Sequence, residues 1–190
     1  MSIDGTQGTM TRRALLGAFA ATTVTTSPNI ANAFGILRRA GDIRRIRMFS
    51  GRTGERIDMI YWVDGEYIKD ALNEINYFMR DWRTGAVKSI DLRTIDLMAA
   101  THNMMDVNEP YTLLSGYRSP RTNALLRSRN RGVARNSLHM QGKAADLRLA
   151  TRSVDQMARA AAACRGGGVG SYSGSNFVHI DCGIVRTWGS

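Results

Sequence analysis

Apolar residues recur at three- and four-residue steps through Ile68, Ala71, Leu72, Ile75, Phe78, Met79 and Trp82, drawing one stripe along a helical face. Gly85 is the expected stop. A second helix is predicted from Asp91 to about Met105, with Leu92, Ile95, Met98 and Ala99 turned inward. His102 lies on it, outside any motif, and reads as a structural or surface residue. Ser119-Pro120 has the form of an N-cap followed by proline at the first helical position, opening a basic helix from Arg121 to about Arg129. Ser153 caps a fourth helix running through Cys164, and Gly166-Gly167-Gly168 ends it.

The stretches between these helices follow a different period. Arg56 to Val63 alternates imperfectly and runs into Asp64-Gly65, a hairpin dipeptide. Tyr111–Ser115 and Ala144–Leu149 read as short buried strands. Val169–Tyr172 and Phe177–Asp181 read as an antiparallel pair joined by Ser173-Gly-Ser-Asn176. The expected class is α+β: a central antiparallel sheet, helices packed on one side, and a face left open for a site. Residues 34–48 are basic and punctuated by glycine, and read as an extended arm.

Composition then narrows the setting. Lys and Arg number 26 against 16 acidic residues, a net charge of +10. Arg12-Arg13 precedes an apolar run from Leu15 to about Val24, too short to span a bilayer, and Ala31-Asn32-Ala33 is a small-x-small cleavage site. Residues 1–33 therefore read as a twin-arginine signal peptide, with cleavage after Ala33 and work in the periplasm. No later stretch is apolar enough for a membrane span. In an exported chain the fitting polyanion for this charge is the cell wall, with its stem-peptide carboxylates, rather than nucleic acid. Cys164 and Cys182 are too few for a disulfide scaffold and lack C-x-x-C spacing. Whether they pair is left open.

The candidate chemistry lies in His139-x6-Asp146 and in His179, part of Asn-Phe-Val-His-Ile-Asp181. Two imidazoles and one carboxylate form a three-ligand set that leaves a zinc ion one position for water. His179 and Asp181 are two apart on a strand and share a face. Asp181 is then either the general base or a carboxylate that orients a ligating histidine.

Several motifs widen the pattern: Ser-Gly-Tyr-Arg118-Ser-Pro, Asn123, Gly132-Val-Ala, Ser137-x-His139-x-x-Gly142-x-Ala144-x-Asp146, and the run from Gly166 through His179 and Asp181 to Arg186-Thr-Trp188. Upstream stand Gly54-Glu55, Tyr61-Trp62, Asp64-Gly65-x-Tyr67 and Arg80-Asp-Trp-Arg83-Thr-Gly85, to Ile90-Asp91. In order and spacing, from about Phe49 to Trp188, the chain resembles the zinc D-Ala-D-Ala metallopeptidases, and among them the branch of murein endopeptidase K. The resemblance implies the fold shared with lysostaphin-type peptidases and hedgehog domains, and a zinc peptidase domain over 49–190. It also implies one Zn2+ on His139, Asp146 and His179, and peptidoglycan as partner. Arg118 would face the substrate, gripping a carboxylate or an oxyanion. Ser137 would steady the metal site or the substrate, and Tyr117, Tyr172 and Asn176 would line the groove. Many relatives carry Glu or Asp three residues before the last histidine. Asn176 holds that position here and cannot act as a base, which directs attention to Asp181. The implied activity is hydrolysis of an amide bond in peptidoglycan cross-links. The alternatives are a D,D-carboxypeptidase or dipeptidase on D-Ala-D-Ala termini, or a non-catalytic zinc-containing wall-binding module.

Overall fold

A computed structural model of the chain describes residues 43–189. The signal peptide expected over 1–33 and the first part of the basic arm lie outside the described residues. From Ile43 the arm is extended, as expected, but it belongs to the sheet. Strand β1 (Ile43–Phe49) buries Arg44, Ile46 and Met48 in alternation. It pairs antiparallel with β2 (Arg56–Val63) and parallel with β4 (Tyr111–Ser115). Its arginines hid the strand from sequence. One of them is buried: the Arg44 guanidinium meets Asp96 at 3.0 Å, and the hydroxyls of Tyr61 and Tyr67 donate to the same carboxylate at 2.8 and 2.6 Å.

At the β2–β3 turn, Asp64 and Gly65 take φ of 49° and 96°. This is the left-handed pair that closes a tight hairpin onto β3 (Glu66–Tyr67). Helix α1 (Lys69–Phe78) then buries Ala71, Ile75 and Phe78. It ends before the apolar stripe does, leaving Trp82 outside the helix and 37% exposed. The reason is Asp81, whose carboxylate accepts from the backbone N–H of Arg83 at 3.1 Å and of Ser119 at 2.9 Å. A short polar side chain that captures nearby backbone in this way competes with helix continuation.

Helix α2 (Leu92–Met104) is capped by Asp91, α3 (Pro120–Arg129) by Ser119, and α4 (Val154–Ala163) by a Ser153–Gln156 capping box. The remaining strands are β5 (Ala144–Arg148), β6 (Gly168–Tyr172), β7 (Phe177–Asp181) and β8 (Arg186–Gly189). All eight form one sheet in the order β3-β2-β1-β4-β5-β7-β6-β8. The class is α+β, as expected. The sheet is mixed, because β1·β4 and β6·β8 run parallel while the other pairs are antiparallel. Helix α4 packs on β6 and β7, and α2 on β1, β7 and α4. Between them they cover the sheet face carrying Ala145, Leu147, Val178 and Ile180, all in the hydrophobic core. The alternate residues of β5 and β7 are thereby delivered to the opposite face.

Asp81 joins two parts of this scaffold, so its charge matters to stability. Burial alone would raise its pKa, but hydrogen bonds from Ser119, Thr122 and the backbone bring it from 3.8 to about 2. A carboxyl depressed in the fold stabilises it fully above its unfolded pKa, and that contribution disappears as pH falls through the folded value. The shift corresponds to about 2 kcal/mol. Asp81→Asn should therefore lose about 1–2 kcal/mol in urea denaturation at pH 7, and the gap to the unsubstituted protein should close between pH 4 and 2.

Candidate active site

The site follows from strand register. Asp146 on β5 stands opposite His179 on β7, which stands opposite Gly170 on β6, which stands opposite Trp188 on β8. The next row on the same face reads Ala144, Asp181, Gly168 and Arg186. His139 arrives from outside the sheet, on a 3-10 turn (Leu138–Gln141) whose start is capped by the Ser137 hydroxyl accepting the His139 N–H at 3.3 Å. The turn closes on Gly142 at φ 69°, where a Cβ would come within 2.4 Å of the Ser89 carbonyl oxygen. A glycine is required there.

One donor atom each from His139, Asp146 and His179 lies within 4.8 Å of the others. His139 Nε2 is 3.1 Å from Asp146 Oδ1 and 3.2 Å from His179 Nδ1, and His179 Nδ1 is 2.9 Å from Asp146 Oδ1. Tetrahedral zinc with bonds of about 2.0–2.1 Å separates its ligands by roughly 3.3 Å, so the triangle fits a small divalent ion. The far nitrogens fit it as well. His139 Nδ1 donates to the Gly116 carbonyl oxygen at 2.7 Å, leaving Nε2 with its lone pair toward the triangle. His179 Nε2 donates to Asp181 Oδ2 at 3.1 Å, which gives Nδ1 the same role.

Electrostatics separate the three groups. Burial pushes the His139 pKa down, with partial opposition from Asp146. Burial would raise the Asp146 pKa, but contact with both histidines outweighs it and holds the carboxyl far below the usual range. Burial would likewise lower His179. Its two carboxylate partners instead raise it to about 9, because each ring nitrogen faces one of them.

Arg118 is 9% exposed and donates from Nη2 to Asp146 Oδ2 at 3.0 Å and to Ser115 Oγ at 3.2 Å. It holds the carboxylate oxygen that the triangle does not use. Asp181 is fully buried and accepts from Gly168 N at 3.2 Å, Gly183 N at 2.8 Å and Arg186 Nη2 at 2.8 Å, besides His179. Gly168 and Gly170 make room for this arrangement. A Cβ on Gly168 would come within 2.3 Å of Arg186 Nη1, and one on Gly170 within 2.5 Å of the Trp188 ring. Arg186 and Trp188 therefore lie across β6, Arg186 to Asp181 and Trp188 to within 5.4 Å of the His179 ring centre.

The cleft over the triangle has a volume of about 350 Å³. Its lining includes Arg118, Ser137 and Tyr172, as the sequence suggested. The Tyr172 ring stacks on Phe177 at 4.6 Å, and its hydroxyl accepts from Trp188 Nε1 at 2.9 Å. Two other groove candidates are placed differently. Tyr117 packs against the hydrophobic core, its N–H donating to the Met79 carbonyl oxygen at 2.7 Å. Asn176 sits at the β6–β7 turn with φ 52°, a conformation asparagine tolerates, and its neighbours Ser175 and Phe177 line the cleft in its place. Sequence reasoning assigned no role to Arg186, Trp188 or the Gly116 carbonyl, although all three residues lie in the motifs. His102, read as a structural or surface residue, is buried and bonds the Glu109 carbonyl oxygen at 2.7 Å. Both cysteines are free thiols and buried.

Two imidazoles and a carboxylate converging in an open cleft, each imidazole with its far nitrogen hydrogen-bonded, make a donor set that could hold a single metal ion. Over residues 38–188 the chain matches the family model described as peptidoglycan L,D-endopeptidase MepK, and it belongs to that family. The peptidoglycan L,D-endopeptidase MepK of Escherichia coli (strain K12) is 41% identical over 136 residues, covering 72% of this chain and 75% of the relative. The probable peptidoglycan L,D-endopeptidase MepK of Haemophilus influenzae is 38% identical over 137 residues, covering 72% and 74%. The resemblance read from the motifs is borne out.

Gly116 tests how the backbone supports the site. A Cβ there would come within 2.4 Å of the Met79 carbonyl oxygen, which is backbone and cannot swing aside. Gly116→Ala should destabilise the protein by about 1–3 kcal/mol in chemical denaturation. Displacing the Gly116 carbonyl from His139 should also weaken divalent-metal binding in chelator competition.

Proposed function

We propose that this chain is a zinc-dependent murein endopeptidase that hydrolyses an amide bond in peptidoglycan peptide cross-links. The observation that carries the reading is the donor triangle of His139, Asp146 and His179, in a chain of the MepK family. These three residues would hold the ion. Bound zinc lowers the pKa of its water toward neutrality and polarises a carbonyl oxygen. The rest of the work falls to the chain itself. Arg118 locks the Asp146 carboxylate and presents its guanidinium to the cleft, where it can bind substrate oxygen. Ser137 fixes the turn that carries His139, and Tyr172, held by Phe177 and Trp188, forms a wall for the peptide.

Of the two roles open to Asp181, the structure supports orientation of His179 over general base. The carboxylate is fully buried, its lone pairs are engaged by four donor groups, and it lies on the outer nitrogen of the imidazole. The twin-arginine leader read over residues 1–33 supports action in the periplasm, and among the described residues no helix is long and apolar enough to cross a membrane.

Three outcomes test this reading. Purified protein supplied with zinc should convert cross-linked muropeptide dimers to monomers. Release of free D-Ala instead would identify a carboxypeptidase, and inert zinc-loaded protein a wall-binding module. His139→Ala should lose both bound metal, by elemental analysis, and cleavage. Asp181→Asn should keep its fold by circular dichroism while zinc affinity falls by about 10–100-fold in chelator competition.

A further inference from the structure

The segment Arg80–Gly85 belongs to the quoted motifs, yet its side chains take no part in the donor triangle. With the first half of α3 it forms a second cavity, of about 590 Å³, lined by Arg83, Thr84, Arg121, Thr122 and Leu125. Both arginines are exposed, and neither forms a salt bridge among the described residues. Arg83 lies over the Trp82 ring at 4.1 Å, and Arg52 approaches the same ring at 5.5 Å. Positive charge is in excess here. Partial desolvation lowers the Arg83 guanidinium pKa; Asp81 opposes this, and the neighbouring Arg52, Arg118 and Arg129 add to it. The Asp81 carboxylate is buried and already engaged by the backbone N–H groups of Arg83 and Ser119. Thr84 Oγ1 accepts the Ala86 N–H at 3.4 Å, which leaves its O–H available to donate.

This cavity is tied to the metal cleft by the chain itself. The Met79 carbonyl accepts the Tyr117 N–H at 2.7 Å, and Asp81 accepts the Ser119 N–H at 2.9 Å, so the Arg80–Gly85 segment is fastened on both sides of Arg118. Helix α3 spans the two spaces: Arg121 and Leu125 line the cavity, while Asn130 beyond its end lines the cleft.

We propose that the cavity of Arg83, Thr84 and Arg121 is a carboxylate-binding subsite, taking a free carboxylate of a peptidoglycan stem peptide that lies across the metal cleft. The inference rests on the reading of that cleft as a peptidoglycan site. Guanidinium groups suit the task because their planar forks match a carboxylate with paired hydrogen bonds. Three stem-peptide carboxylates have this chemistry, one on the glutamate residue, one on diaminopimelate and one at the C-terminus.

The test is calorimetric titration of the zinc-supplied protein with uncross-linked stem peptides in four forms: free acid, amidated at glutamate, amidated at diaminopimelate, and amidated at the C-terminus. One of the three amides should bind about tenfold or more weaker than the free acid, the size expected of a lost charge-assisted contact, and its identity names the carboxylate. The Arg83→Gln/Arg121→Gln double variant should show the same loss on the free acid and no further loss on that amide. Its zinc content and melting temperature should match those of the unsubstituted protein. Equal weakening toward all four peptides would reduce the patch to a general basic face and overturn the proposal, as would no weakening at all. Cleavage of cross-linked dimers is scored separately. A protein that cleaves but fails the titration loses only the subsite, whereas one that passes the titration but cleaves nothing loses the enzymatic reading.

Discussion

The site depends on strand register. Ser115, Asp146, His179, Gly170 and Trp188 form one continuous row across five neighbouring strands. A slip of a single residue between β5 and β7 would carry Asp146 to the face that packs on helices and bring Leu147 into the cleft. What prevents the slip is the burial of Ala145, Leu147, Val178 and Ile180 beneath α2 and α4. The hydrophobic face therefore does more than stabilise the fold. It sets the positions of Asp146 and His179 on the opposite side.

Charge at the centre is arranged on the same lattice. An isolated buried carboxylate is costly, and pairing with hydrogen bonds is what makes burial tolerable. Asp146 is divided between the histidines and Arg118, and Asp181 between His179 and Arg186. The result is a chain of alternating partners from Ser115 through Arg118, Asp146, His179 and Asp181 to Arg186. Such a chain fixes the orientation of the imidazoles, which is the work that surrounding hydrogen bonds perform at metal centres. The glycines of β6 belong to this arrangement, since any side chain at 168 or 170 would occupy the space of Arg186 or Trp188.

Much of this could be read in advance, for reasons visible in particular residues. Helices with caps and stripes, such as Ser119-Pro120 and Ser153 with its capping box, are local events, and the structure has them where the sequence put them. The two-residue spacing of His179 and Asp181 placed both on one face of β7, again a local rule. Elements that rely on distant partners were missed. Strand β1 looked like a basic arm because its arginines mask the alternation of Ile46 and Met48. Strand β8 has only four residues, mostly exposed, and exists through its pairing with β6. Helix α1 stopped early because of a contact between Asp81 and Ser119, 38 residues apart.

By itself the sequence determined the family, the α+β class and the three side chains that converge, because motif order and side-chain periodicity are properties of the chain. Only the tertiary structure decided what those side chains are attached to. The Gly116 carbonyl on His139, Arg118 on the outer oxygen of Asp146, and Arg186 behind Asp181 are long-range hydrogen bonds, set by which strands lie side by side. The separate fates of Tyr117, half-buried against the core, and Tyr172, sent to the cleft, have the same origin. Residue type states what chemistry a group can perform, whereas its neighbours across the sheet determine its protonation, its orientation and its access to substrate.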